Sequence, residues 1–338
     1  MKRYEVYPDD KKVPFRMVEA QLPSLGANQV CVAIKAVSLN YRDLLVSQNT
    51  YFSQIPQGLV PCSDGAGEVV AVGRDVSEFE IGDRVATLFF PNWQGGSADA
   101  KAVSGALGAE MGGVLTERFV SDANGLIKLP DGLSYAEAAT LPCAALTAWN
   151  SLFEVGDLKP GQTVVLQGTG GVSIFALQFA KAAGARVIIT SSDDEKLKRA
   201  KTLGADHGIN YRTRPDWAAE VLQLTAGKGA DVVVEVGGPG TLEQSLMSLR
   251  VGGRIAYVGV LTGLAAQANP VMLIPKAASI HGIFVGSRAM FMSMLDAIVA
   301  HNIRPVIDCE FAFDDAASAL AHMKSGRHFG KILIRMDA

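Results

Sequence analysis

The chain has 338 residues, 49% of them hydrophobic, with a formal net charge of -3. Such a length supports two domains with separate cores, and the weak negative charge speaks against nucleic-acid binding, which needs a basic surface. Charged or turn-forming residues interrupt every long apolar stretch, so no transmembrane helix is predicted, and the opening MKRYEVYPDD lacks the apolar segment of a secretory signal.

Four cysteines, Cys31, Cys62, Cys143 and Cys309, stand far apart with no CxxC pair. Reduced thiols and a cytoplasmic setting are therefore expected. From the start to about residue 124 the chain reads as short strands separated by Gly and Pro turns, at Gln29–Val37, Glu68–Val72, Asp83–Leu88 and Leu115–Val120. That texture predicts a largely antiparallel β domain. The Gly-, Ala- and Ser-rich stretch from Trp93 to Gly113 reads as a long, mobile loop.

At Ser134 the texture changes. Ser134 with Glu137 three residues on is an N-cap signature and opens a helix running towards Glu154. Strands and helices then alternate. Strands are predicted at Thr163–Gly168, Arg186–Ser192, His207–Tyr211, Ala230–Gly237, Gly253–Val260 and Ser279–Gly286, and helices at Val172–Ala183 and Asp193–Leu203. This alternation implies a doubly wound parallel sheet of Rossmann type covered on both faces. A helix at Ala289–Asn302, a strand near Asp308–Phe313, a further helix and a last strand at Lys331–Arg335 complete the chain and are expected to return to the first domain. The expected organisation is 1–124 and 289–338 as one discontinuous domain and 125–288 as the inserted one.

The glycine loop after the first buried strand is the strongest chemical signal. Gly168, Thr169, Gly170, Gly171 and Val172 join that strand to a helix. Gly168 supplies the tight turn, Gly170 removes a Cβ where a pyrophosphate would approach, and the helix N-terminus offers free N–H groups to the anion. Ser173 stands at the fingerprint's third glycine. The second strand ends in Ser191 and Ser192 rather than the acid that reads an NAD ribose, with Lys196 one turn on and Tyr211 ending the third strand. Hydroxyls and an ammonium suit a 2′-phosphate, so NADPH is the expected cofactor. Asp193 and Asp194 are the counter-evidence, with helix initiation as their alternative role.

The residues VSLNYRD at 37–43, DGAGE at 64–68, GDRV at 82–85, LPCAALT at 141–147, the Gly168 loop, SSDDEK at 191–196, KTLGAD at 201–206, INY at 209–211 and the closing Gly330-Lys331 together resemble the medium-chain dehydrogenase/reductase superfamily, in its zinc-free quinone oxidoreductase (zeta-crystallin-like) branch. The likeness spans essentially the whole chain. It implies a Rossmann sheet inserted into a GroES-like catalytic domain. Zinc-dependent members need three catalytic ligands, whose places fall on Asn40, on Ser63-Asp64 and on Cys143. One thiol among such groups is not a zinc set, and the four-cysteine zinc lobe is absent from 93–113.

Without a zinc Lewis acid, the chemistry expected is hydride transfer to an electrophile, a quinone or an α,β-unsaturated carbonyl. The resemblance puts the nicotinamide in an interdomain cleft near Asn40, Asp43, Ser63, Asp64 and Thr147, with the backbone of Val260, Phe284 and Val285 on its nicotinamide side and Lys331 among the cofactor residues. Tyr51 is the expected polarising hydroxyl or proton donor, with Tyr41 behind it. Asp43 and Asp64 have an alternative reading as turn caps or as partners of Arg42 and Arg84. Other acceptors in the same superfamily, an enoyl thioester, a 2-haloacrylate or an alcohol-derived carbonyl, remain open, as does a non-catalytic NADPH-binding protein. No Gly-x-Ser-x-Gly elbow follows a strand, which argues against a hydrolase. The resemblance also implies a homodimer joined through the edge strand 279–286.

Overall fold

A computed structural model describes all residues except 9, 11–13, 53, 264–268, 337 and 338. The chain divides into two compact units, Met1–Leu146 with Gly286–Ala338, and Thr147–Val285. The first boundary therefore falls later than the expected residue 125. Leu126–Lys128 pairs with Arg84–Thr87 in the first unit's sheet, and the helix Tyr135–Ala138 packs on strands of that same sheet.

In the first unit, seven strands form one sheet. Its order is Ile307–Ala312, Lys331–Arg335, Gln29–Ser38, Asp64–Val72, Arg84–Thr87 and Leu126–Lys128, with Arg118–Asp122 also pairing Gln29–Ser38. All pairings are antiparallel except that of Ile307–Ala312 with Lys331–Arg335. Nearly every residue of Gln29–Ser38 is buried, so it lacks the alternation of a half-exposed strand. A side chain at Gly67 would meet the Ala33 carbonyl oxygen at 2.1 Å, so only glycine lets these strands close. The core gathers Val32, Ile34, Leu39, Val69, Leu107, Leu126, Phe313, Leu320 and Ile332. The C-terminal segment thus belongs to the first unit's sheet and core, as expected.

Lys2–Val6 and Phe15–Glu19 form a separate antiparallel ribbon that the turn pattern does not announce. It displaces one predicted strand. The Leu115 carbonyl accepts from Tyr4 N and the Glu117 N–H donates to Lys2 O, so the strand predicted at 115–120 joins the main sheet only at Arg118–Asp122. The 93–113 stretch is a loop, but an anchored one, with Trp93, Ala106, Leu107 and Ala109 buried.

The second unit is a six-stranded parallel sheet ordered His207–Asn210, Arg186–Ser191, Thr163–Gln167, Ala230–Glu235, Leu249–Tyr257 and Ser279–Gly282. By position in the chain this is 3-2-1-4-5-6, the doubly wound order. Thr163–Gln167 and Ala230–Glu235 are wholly buried. Helices Gly171–Ala182, Asp194–Thr202, Trp217–Leu224 and Leu242–Ser248 accompany the strands. The helix predicted from Ser134 is broken. Ser134 caps it as expected, but after Tyr135–Ala138 the chain widens into π-helical turns at Leu141–Ala145 and Asn150–Val155. Pro142, at the start of the first wide turn, has no N–H to continue an α ladder.

Candidate functional site

In the first unit the site is built at the N-terminus of the helix Tyr41–Ser47. Asn40 caps it in an extended conformation, and its N–H donates to Asp43 Oδ2 at 2.8 Å. Asp43 therefore does act as a cap. Its carboxyl is fully buried, and burial pushes its pKa up to about 6 against the opposing pull of Arg42 and the Asn40 N–H. A buried lysine closes the other side of the cluster. Lys331 Nζ donates to Leu39 O at 2.7 Å and Asn40 Oδ1 at 2.6 Å, and lies 3.8 Å from Asp64 Oδ2. Because an ammonium can only donate, Asn40 must turn Oδ1 towards it, which fixes the direction of Nδ2. That Nδ2 is buried with no hydrogen-bond partner.

Asp64, also fully buried, accepts from Ser63 Oγ at 2.7 Å and from the Cys143 N–H at 3.2 Å. Ser63, Asp64, Asn40, Asp43 and Lys331 thus form one group. Lys331, expected among the cofactor residues, is engaged here by the Leu39 carbonyl, the Asn40 amide oxygen and the Asp64 carboxylate. Arg84 pairs with neither acid but donates to Leu133 O.

Arg42 is the residue that motif reading undervalued. Its guanidinium is buried, donates Nη1 to Leu107 O at 2.6 Å, and lies 5.0 Å from the Tyr51 ring centroid and 4.5 Å from that of Phe89. Its Nε and Nη2 have no hydrogen-bond partner. The Leu107 carbonyl is what the 93–113 loop contributes. Burial raises the Tyr51 pKa although Arg42 opposes it, so the phenol keeps its proton. Burial and Asp64 together hold the Cys143 thiol well above its usual range. Tyr41, by contrast, is exposed and outside the cluster.

In the second unit, Gly168 has φ +69°, a left-handed conformation with nothing within 4 Å of a built Cβ, so backbone rather than space selects glycine. Gly170 is the N-cap of Gly171–Ala182 and offers no side-chain cap, leaving the first-turn N–H groups unblocked by a capping side chain. Thr169 is buried beside it and Val172 half-buried. Ser173 Oγ donates to Gln167 O at 2.6 Å, which ties the loop where the fingerprint has glycine. Gln167 in turn donates to the buried Glu235 at 2.7 Å and accepts from the Gly237 N–H at 3.0 Å, locking the first strand to the fourth.

At the end of the second strand, Ser191 Oγ accepts from the Asp193 N–H at 3.2 Å. Asp193 caps the next helix, accepting from the Glu195 and Lys196 N–H groups at 2.8 and 3.2 Å. Asp194 accepts from Asn210 Nδ2 at 2.8 Å. Both acids are thus engaged within the fold. Ser192 is half-buried and Tyr211 exposed, with its N–H on Ser191 O. Thr147 is buried, and its carbonyl accepts from Ser151 Oγ. Val260 is half-exposed. Val285 has φ +56°, unusual for a β-branched residue, and Asn150 Nδ2 donates to its carbonyl at 2.8 Å, while Phe284 is exposed.

Residues 26–131 match the family model of the alcohol dehydrogenase GroES-like domain, and residues 171–300 that of the zinc-binding dehydrogenase. A zinc-type alcohol dehydrogenase-like protein of Schizosaccharomyces pombe is 43% identical over 98% of this chain and 96% of its own. The chain belongs to the medium-chain dehydrogenase/reductase superfamily. A quinone oxidoreductase of Pseudomonas aeruginosa, 31% identical over 91% of each chain, is another relative within this superfamily. The solved structure of an NAD-dependent alcohol dehydrogenase superposes with a TM-score of 0.91 at 31% identity, covering 100% of both chains. The chain is accordingly an oxidoreductase of the medium-chain dehydrogenase/reductase family, and among its described residues no helix is long and apolar enough to cross a membrane.

Proposed function

We propose that the protein is an NADPH-dependent reductase that transfers hydride to a quinone or an α,β-unsaturated carbonyl without a catalytic zinc ion. The observation that carries this reading is the buried amide of Asn40, whose Oδ1 is held by Lys331 and whose Nδ2 is left as an unpartnered donor. A bound reduced nicotinamide supplies the hydride. As hydride reaches carbon, charge builds on the acceptor oxygen, and Asn40 Nδ2 is the neutral donor that stabilises it. Arg42 adds positive potential, and the Tyr51 hydroxyl, kept protonated, supplies the proton that completes reduction.

The same cluster suits zinc poorly. An asparagine amide, a carboxylate already holding Ser63 and the Cys143 N–H, and a thiol held protonated surround an ammonium. The positive charge of Lys331 stands beside the carboxylate a dication would need. Cofactor choice rests on the second unit. Gly168, Gly170 and the first-turn N–H groups of Gly171–Ala182 would hold the pyrophosphate. Asp193 spends its carboxylate on a helix cap, so the 2′-phosphate is assigned to Ser191, Ser192, Lys196 and Tyr211.

Oxidation of NADPH and NADH followed at 340 nm, with a small quinone and an enone as acceptors and with EDTA present, tests the proposal. Turnover that prefers NADPH and ignores EDTA supports it. Loss of turnover in EDTA, or tight NADPH binding with no oxidation by either acceptor, refutes it. We also propose a cytoplasmic homodimer joined through Ser279–Gly282, the edge strand of the second unit's sheet. Light scattering behind size exclusion should give twice the chain mass, and a monomer would rule the dimer out.

A further inference from the structure

The C-terminal part of the first unit gathers three metal-binding side chains that the proposed reaction does not use. Asp308 and Cys309 are consecutive on the strand Ile307–Ala312, where consecutive side chains should point to opposite faces. The ladder to Lys331–Arg335 is irregular at this point, since Ile307 pairs with Lys331 but Cys309 with Ile332. Asp308 is the extra residue of a β-bulge, and a bulge re-aims the side chains around it. Both side chains reach the same partner, His322, from the last turn of the helix Ala316–Ser325. One ligand atom from each of the three lies within 4.8 Å of the others, and all three residues are half-buried.

No hydrogen bond accounts for Nε2 of the imidazole. His322 Nε2 lies 3.8 Å from Asp308 Oδ2, too far for a hydrogen bond, and this buried nitrogen has no hydrogen-bond partner. Two donors on one tetrahedral ion, with bonds of about 2.0–2.2 Å, stand roughly 3.3–3.6 Å apart. The observed separation needs only a small side-chain adjustment to reach that. The His328 ring stands behind, its centroid 6.5 Å from that of His322.

We propose that Asp308, Cys309 and His322 form a binding site for one divalent transition cation of the zinc or cobalt class, with solvent completing the coordination. A mixed thiolate, imidazole and carboxylate set matches that class better than the all-oxygen shells of calcium or magnesium. On binding, the Cys309 S–H bond breaks, the sulfur–metal bond forms, and the proton leaves to solvent. Because the thiol must give up that proton, binding weakens as pH falls. The ion would clamp the strand to the helix and, by binding only the folded chain, stabilise it.

The test titrates cobalt(II) into the full-length, EDTA-stripped, reduced protein under anaerobic conditions. The site gives a thiolate-to-cobalt charge-transfer band that saturates at one equivalent. That band is lost in Cys309→Ser, unchanged in Cys143→Ser, and requires roughly tenfold or more cobalt in His322→Gln. Zinc should raise the thermal midpoint of the wild type but not that of Cys309→Ser or His322→Gln. Both variants should retain wild-type turnover, which separates this site from the reaction centre. No band at one equivalent in the wild type, a full band in Cys309→Ser, or its loss in Cys143→Ser overturns the proposal.

Discussion

Replacing Lys331 with methionine tests whether the buried ammonium is the brace of the first unit's cluster. The substitution roughly keeps the length of the side chain and removes its charge. It takes away the hydrogen bonds to Leu39 O and Asn40 Oδ1, and it leaves the fully buried Asp64 carboxylate without the cation 3.8 Å away. Ser63 Oγ and the Cys143 N–H still solvate that carboxylate, but neither carries a full charge. Breaking one partner out of a buried pair costs about 3–5 kcal/mol. For a unit of about 200 residues, at roughly 2–4 °C per kcal/mol, the transition of the first unit should fall by about 6–20 °C. Differential scanning calorimetry reads this, and urea unfolding followed at pH 7 gives the free energy. The discriminating variant is the double replacement Lys331→Met with Asp64→Asn. Ser63 Oγ and the Cys143 N–H bind different oxygens of the carboxylate; the amide introduced in its place would accept from the Cys143 N–H and donate to Ser63 Oγ, and it carries no charge to strand, so the pair should recover about 2 kcal/mol relative to additivity. A loss below about 1 kcal/mol in Lys331→Met, or additive losses in the double variant, would show that the ion pair does not organise the cluster.

Three further outcomes are expected. The Asp43 pKa, raised from 3.8 to about 6, means that the folded chain binds a proton which the unfolded chain has already released. This group's contribution to stability therefore decreases as pH rises from about 4 to about 6, by on the order of 3 kcal/mol, and Asp43→Asn should lack that decrease in urea midpoints taken across the window; parallel curves for the two proteins would contradict the assignment. Asn40→Asp retains an oxygen for Lys331 but removes the Nδ2 donor, so kcat should fall by on the order of 100-fold, and Tyr51→Phe should lower kcat by about 10–100-fold; unchanged kcat in both would remove these residues from the chemistry. Lys196→Ala should reduce kcat/KM for NADPH by about tenfold and leave NADH unaffected, with the NADPH effect shrinking at high salt; equal effects on both cofactors would mean that Lys196 does not contact the 2′-phosphate.

The sequence alone determined what local rules govern. The doubly wound unit was legible because its central strands are apolar runs closed by glycine or a polar turn, as at Thr163–Gln167 and Ala230–Glu235, and because the Gly168 loop follows the first of them. The cap at Ser134 and the return of Lys331–Arg335 to the first unit could likewise be read from the chain. Resemblance groups Asn40, Asp43, Ser63, Asp64 and Thr147; the fold joins Asn40 to Asp43 by a hydrogen bond and Ser63 to Asp64 by another, and Lys331 links Asn40 to Asp64. What only the tertiary structure decided depends on partners distant in the chain. Resemblance places Lys331 among the cofactor residues, and its partner Asn40, 291 positions away, is supplied only by folding. Arg42 gains its place from the Leu107 carbonyl and the Phe89 ring, neither of which any spacing rule connects to it. Strand 115–120 was shifted by an N-terminal ribbon, and the Ser134 helix was opened by Pro142 into wide turns. The bulge at Asp308 is invisible in one strand's sequence, because it exists only as a mismatch in register with Lys331–Arg335. Periodicity and capping act over a few residues and can be read from the chain itself, whereas burial of charge and strand register are set by whichever groups the whole fold packs against them.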